Sequence, residues 1–200
     1  MPQRLKLGFL ASRNGSSARA VIAAIEAGQL DAEARLMVSN NRGAGALALA
    51  AEHGVPAMCI PTQSDPEAAD ISLRDVLEGA GVELVILSGY LRQLGPHTLA
   101  RYRNRVLNIH PGPLPQFGGH GMYGRKVHEA VIAAEAPESG ACIHVVDEEY
   151  DHGPVIARRT VPVRPGDTPA DLEARVTAVE PGFFVETLRR ISAGDLALPG

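Results

Sequence analysis

Leu5-Lys6-Leu7-Gly8-Phe9-Leu10-Ala11 is followed by the turn Ser12-Arg13-Asn14-Gly15-Ser16-Ser17, after which Ala18, Val21, Ile22 and Ile25 recur at helical spacing. A short apolar run closed by turn residues reads as a buried strand, and the spaced apolar residues as one face of a helix that Gly28 ends. The same succession continues outward. Ala34 to Ser39, Val55 to Ile60, Glu83 to Leu87 and Arg105 to Ile109 read as strands, and Gly45 to His53, Asp70 to Leu77 and Pro96 to Arg103 as helices between them. Leu84-Val85-Ile86-Leu87 is apolar without alternation, as a strand covered on both faces must be. Strands of this kind alternating with helices predict an α/β fold, a mostly parallel twisted sheet with helices on both faces.

The pattern changes after Ile109. Pro111 to Gly124 holds three prolines and five glycines, a loop long enough to suggest a functional role. Arg125 to Ala134 reads as a helix, and Ala141 to Val146 and Val155 to Val163 as alternating strands of an antiparallel C-terminal extension. Asp171 to Ile191 reads as a closing helix interrupted by Pro181-Gly182. With no internal repeat, linker or low-complexity tract, residues 1–200 are expected to form one domain.

Composition narrows the function. The 200 residues are 45% hydrophobic and 21% charged, with a net charge of −4, which suits a folded chain and argues against a general nucleic-acid binder. No apolar run reaches the ~18 residues of a membrane span, and Met1-Pro2-Gln3-Arg4-Leu5-Lys6 leads into a strand without the form of a signal peptide. Cys59 and Cys142 make neither a disulfide framework nor a zinc pattern and read as buried free thiols, so a cytoplasmic location is expected. Among seven histidines no close ligand pair occurs, and no metal is expected.

Two places carry chemistry. The turn at Gly15, Ser16 and Ser17 lies between strand and helix, where α/β folds hold phosphates on free backbone N–H groups, and the Ser16 and Ser17 hydroxyls are expected to add donors; it has neither G-x-G-x-x-G nor the P-loop lysine. Its bland alternative is a helix capped by serine. The second place is Asn108-Ile109-His110-Pro111 at a strand end, whose two-residue spacing points Asn108 and His110 to one face. Asn donates to a developing oxyanion, and His holds or moves a proton near neutrality. Downstream, Asp147-Glu148-Glu149-Tyr150-Asp151-His152-Gly153-Pro154 reads as an acidic turn in which Glu148 and Glu149 are solvated and Asp151 stands out.

Asn108-Ile109-His110-Pro111 with Leu114-Pro115, Tyr150-Asp151-His152-Gly153-Pro154, Ser88-Gly89-Tyr90-Leu91-Arg92-Gln93-Leu94 and Asn14-Gly15-Ser16-Ser17 together resemble the motifs of the folate-dependent formyltransferases. The resemblance runs from about Leu5 to Leu188 and implies their Rossmann-like fold. It implies Asn108, His110 and Asp151 as the catalytic trio. It implies Gly15, Ser16 and Ser17 as the positions that bind the ribose phosphate of the amine substrate, and Glu180 as an acid on the closing helix that contacts the same substrate. Leu91, Arg92, Gln93, Leu94, Asp147 and Tyr150 are implied as the pocket for 10-formyltetrahydrofolate. Three features depart from the family pattern: the glycine-rich loop Gly118 to Gly124, Pro181 after Glu180 where His is common, and the lack of an Arg near Asp65-Pro66-Glu67.

The reaction this implies is direct attack of a primary amine on the formyl carbon. Asn108 and protonated His110 would meet the oxyanion, and Asp151 would orient His110 and relay the amine proton. The amine expected is that of glycinamide ribonucleotide, in purine biosynthesis. The alternatives are another amine, such as an amino sugar nucleotide, or a non-catalytic nucleotide-binding module. The expected partners are small molecules, with no nucleic acid and no membrane, and monomer and homodimer both fit. The loop Gly118 to Gly124 is expected to order over the amine, with His120, Met122 and Tyr123 as its contacts.

Overall fold

The structure is a computed structural model that describes residues 4–200. The reading of Met1, Pro2 and Gln3 therefore lies outside the described residues. Strands β1 (Leu5–Leu10), β2 (Ala32–Ser39), β3 (Ala57–Cys59), β4 (Leu84–Leu87), β5 (Val106–His110), β6 (Glu138–Val145) and β7 (Val155–Pro162) form one sheet in the order β3-β2-β1-β4-β5-β6-β7. Pairing is parallel from β3 across to β5 and antiparallel for β5–β6 and β6–β7. The parallel sheet and its antiparallel extension are thus as the sequence predicts.

Helices α1 (Ser16–Glu26), α2 (Gly45–Glu52), α3 (Pro66–Gly79), α4 (Pro96–Arg101), α5 (Arg125–Ala133) and α6 (Pro169–Ala193) complete the fold. Strand alternation divides the apolar residues between two cores. Leu7 and Phe9 of β1 and Leu84 and Ile86 of β4 pack with Val21, Ile22, Phe184 and Leu188 on one side. Leu10, Val85 and Leu87 pack with Leu73, Leu77 and Tyr102 on the other. Each large side chain so buried contributes roughly 1.5–3 kcal/mol. Gly8 faces the second core, where an added Cβ would meet Leu77 Cδ2 and Val82 Cγ1 at 2.9 Å, so α3 sits as close to β1 as glycine permits.

Three expectations need correction. Helix α6 is continuous from Pro169 to Ala193, so Pro181-Gly182 does not interrupt it. Proline removes one backbone bond, but Leu172 and Val176 before it and Phe183, Phe184 and Leu188 after it bury in the same core and outweigh that loss. Helix α3 starts at Pro66, because the Asp65 carboxylate accepts from the Ala68 N–H at 2.9 Å and Pro66 suits the first helical position. Cys142 is buried as expected, but Cys59 is partly exposed, because β3 is a three-residue strand at the edge of the sheet.

The order of strands places the site. After β3 the chain crosses over α3 to the far side of β1, so β1 and β4 lead their loops away in opposite directions. The crevice at such a switch point is where α/β sheets bind ligands. There Ser12 N–H donates to the Gly89 carbonyl at 3.1 Å, and Leu91 N–H donates to Ser12 Oγ at 2.8 Å. The next strand, β5, ends on His110 beside them.

Candidate active site

The site is built around the carboxylate of Asp151. Antiparallel pairing of β5 with β6 sets Asn108 opposite His144 and His110 opposite Cys142. Asp151 follows β6 on a turn, with φ 55°, a left-handed conformation that Asp tolerates better than most residues. Its Oδ2 lies 3.4 Å from His110 Nδ1 and its Oδ1 3.5 Å from His144 Nε2. Gly119 N–H also donates to Oδ2, at 3.0 Å. Burial pushes the Asp151 pKa up. Hydrogen bonds from both histidines, the His110 charge and the Gly119 N–H together outweigh that and hold it well below the usual carboxylate range.

His110 is 3% exposed. Its Nε2 lies 2.7 Å from the Phe117 carbonyl while Nδ1 faces Asp151. Both neighbours are acceptors, and only the imidazolium donates to both. Asn108 Nδ2 lies 3.1 Å from His144 Nε2, and His144 Nδ1 faces the Val145 carbonyl at 3.1 Å. Asn108, His144, Asp151 and His110 so stand in one polar row, in which His144 Nε2 faces both Asn108 Nδ2 and Asp151 Oδ1.

Two recesses meet at this row. The larger is a cavity of about 740 Å³, lined by Arg13, Leu91, Asn108, His110, Lys126 and Asp151 and walled by the loop from Gly119 to Gly124. The smaller, of about 80 Å³, is lined by Arg92, Gln93, Leu94, His144, Asp147 and Tyr150, again with Asn108 and Asp151. The structure therefore brings Asn108, His110 and Asp151 together and gathers all six expected folate residues around the junction. Gln93 Nε2 donates to the Glu148 carbonyl at 2.7 Å and so ties the β4 loop to the acidic turn. Glu148 and Glu149 are exposed, as expected.

The amine-side residues are placed less directly. Gly15 is the cap residue of α1 in the left-handed region, φ 64°, with no side-chain cap, so the serine-capped alternative does not hold. Ser16 is exposed, but Ser17 is 3% exposed because helical periodicity turns it to the core with Val21. Its hydroxyl is not presented to a ligand, contrary to the sequence reading, and the turn offers backbone N–H groups instead. Glu180 lines neither recess. It is half-buried on α6, and desolvation pushes its pKa up to about 7 against the opposing pull of His110.

The sequence reading missed His144 and Tyr90. His144 carried no local signal: it faces Asn108 only in the antiparallel register, which exists once β6 is paired. Half-buried Tyr90 lines both recesses, and burial pushes its phenol up to about 12. Among the described residues no group of three or more His, Cys, Asp or Glu is placed to hold a metal, and no helix is long and apolar enough to cross a membrane.

A family model described as formyl transferase matches residues 5–188. The chain belongs to that family. Among relatives of this formyltransferase, it is 37% identical over 193 residues to the chloroplastic phosphoribosylglycinamide formyltransferase of Arabidopsis thaliana, covering 95% of this chain and 66% of the plant protein. It therefore spans just under two thirds of that relative's length. It is 29% identical over 195 residues to the phosphoribosylglycinamide formyltransferase of Haemophilus influenzae, covering 96% of this chain and 90% of that one. The crystal structure of glycinamide ribonucleotide transformylase 1 from Symbiobacterium toebii superposes with a TM-score of 0.88 at 31% identity, covering 98% of this formyltransferase and 92% of that chain.

Proposed function

We propose that this formyltransferase, acting as one domain, moves the formyl group of 10-formyltetrahydrofolate onto the primary amine of glycinamide ribonucleotide, a step of purine biosynthesis. The observation that carries the reading is the meeting of Asn108, His110 and Asp151 at the junction of two recesses. The names of the relatives support the choice of amine.

The amine nitrogen, neutral and in the larger recess, attacks the formyl carbon presented from the smaller one. A C–N bond forms and the formyl oxygen becomes an oxyanion. The Asn108 amide, set by His144, and the His110 imidazolium, held by Asp151, meet that charge; one such donor is worth roughly 3–4 kcal/mol. A formyl oxygen that reaches His110 Nε2 replaces the Phe117 carbonyl there. The intermediate collapses by breaking the bond from carbon to the folate N10. The proton lost by the amine passes by way of Asp151 and His110 to that nitrogen, and tetrahydrofolate leaves. The step as written uses no metal and no covalent enzyme intermediate. Cys59 and Cys142, both unpaired, suit a reducing compartment such as the cytoplasm.

The test is a competition assay with 10-formyltetrahydrofolate as donor and glycinamide ribonucleotide offered beside several amino sugar nucleotides. Formylation of glycinamide ribonucleotide alone is expected, with stoichiometric tetrahydrofolate. Preference for an amino sugar nucleotide overturns the assignment of the amine, and no turnover of any amine overturns the enzyme.

A further inference from the structure

The larger recess holds two cations that no acidic group among the described residues neutralises. Its other charged members are satisfied, since Asp151 is shared by His110, His144 and the Gly119 N–H. Arg13 and Lys126 have no ion pair and no side-chain hydrogen bond among the described residues, and Lys126 Nζ rests 5.0 Å from the Tyr123 ring centroid.

Neither is placed there for stability. The backbone at Arg13 is clamped on both sides: its carbonyl accepts from Ala46 N–H at 3.0 Å, and Ser12 N–H donates to Gly89. The exposed side chain is then delivered to the rim of the cavity. Lys126 lies in the first turn of α5, where a cation opposes the helix dipole. Its neighbour Arg125 has Glu173 Oε2 at 2.6 Å, whereas Lys126 has no acid, and the first turn of α5 contains none. A lysine at an unfavourable helix position without an acidic partner, on the wall of a cavity shared with an unpaired arginine, makes a field that a dianion would relieve. The turn Gly15 to Ser17 beside Arg13 adds to that field but is not its basis.

We propose that Arg13 and Lys126 are the charged ligands of the substrate's phosphate and determine selectivity for a phosphorylated amine. This rests on the function proposed above and assigns specificity to two residues outside the catalytic trio. Arg13, with its planar fork, would contact two phosphate oxygens, and Lys126 would add a point charge from the first turn of α5.

The experiment compares wild type with Arg13→Gln, Lys126→Gln and the double variant. Steady-state kinetics are run with glycinamide ribonucleotide and with its dephosphorylated riboside, at saturating 10-formyltetrahydrofolate, with thermal melts as a check on folding. Each single change is expected to raise the KM for the ribonucleotide roughly tenfold, with kcat within twofold and the kinetics of the riboside and the folate unmoved. The KM of wild type is expected to rise with ionic strength and that of the double variant to lose this dependence. An unchanged ribonucleotide KM in the double variant overturns the proposal, and so does a rise in folate KM instead, which would assign the cations to the carboxylates of the folate tail. Binding of ribose 5-phosphate by calorimetry gives a reading that does not depend on turnover. It should weaken in both single variants, and equal affinity in wild type and double variant overturns the proposal. Failure of wild type to formylate glycinamide ribonucleotide, with ribose 5-phosphate binding weakened as expected, strikes only the function proposed above.

Discussion

The two ends of the larger recess are opposites. At one, His110 and Asp151 are buried or nearly so and each faces polar partners. At the other, Arg13 and Lys126 are exposed and have no acidic partner among the described residues, Lys126 resting only on the Tyr123 ring. Chemistry on a formyl group needs donors fixed before the substrate arrives, because reorganisation at the moment of reaction would cost what the donors contribute. Binding an anion needs the reverse, since a cation already neutralised by the fold has nothing left to offer. The same cavity shows both arrangements, and the difference is testable.

The largest break in the comparison comes from Asp151→Asn. The amide keeps the shape but loses the charge that holds the His110 imidazolium, and kcat should fall roughly 10³-fold with the KM for ribonucleotide little changed. Steady-state kinetics beside a thermal melt check this, and wild-type turnover in the variant would remove Asp151 from the mechanism.

His144→Ala tests whether the partnered end works as a unit. Asn108 and Asp151 each lose a contact, and kcat should drop about thirtyfold. If His144 acts by setting Asn108, then Asn108→Ala should cost much less in the His144→Ala background than in wild type. Full additivity of the two losses would separate them.

Gly118→Ala sharpens the role of the loop. An added Cβ would stand 2.3 Å from Leu114 Cδ2 and 3.0 Å from Asp151 Cβ, so the change should push on the catalytic carboxylate. A fall in kcat of about tenfold is expected, without the change in KM that Lys126→Gln should produce. Equal sensitivity of both parameters would merge the two ends.

The smallest effect concerns Glu180, whose half-burial raises its pKa from the ordinary 4.5 to about 7. A group with a raised folded pKa supports stability below its unfolded value and loses that support as pH rises through the folded one. Glu180→Gln should therefore match wild type near pH 4. Near pH 8 it should be more stable by about 1 kcal/mol, after discounting for the water that a half-buried side chain still meets. Denaturant titrations at the two pH values decide this, and a difference independent of pH would show that Glu180 does not titrate in that range.

Much of the fold was legible because burial leaves a local signature. Leu84 to Leu87 had to be covered on both faces, and Asn108-x-His110 had to share one, for reasons of period alone. The six residues of the expected folate pocket were legible only through resemblance, since nothing local in Leu91 to Leu94 says that Asp147 and Tyr150 lie opposite. Pro181 misled because its cost is local, whereas the burial that overrides it comes from residues spread along α6. Ser17 misled because a serine in a turn looks the same whether its hydroxyl faces ligand or core.

By itself the sequence determined the alternation of strand and helix, the strand-end pair Asn108 and His110, and the singular Asp151, because these follow from period, turn chemistry and charge within a few residues. Only the tertiary structure decided that His144 completes the row from Asn108 to Asp151, that Gly119 ties the glycine-rich loop to that carboxylate, and that Arg13 and Lys126 share one cavity. Those relations join residues far apart in the chain. They depend on antiparallel register and on the switch in strand order at β1 and β4, and neither is encoded in any short stretch of sequence.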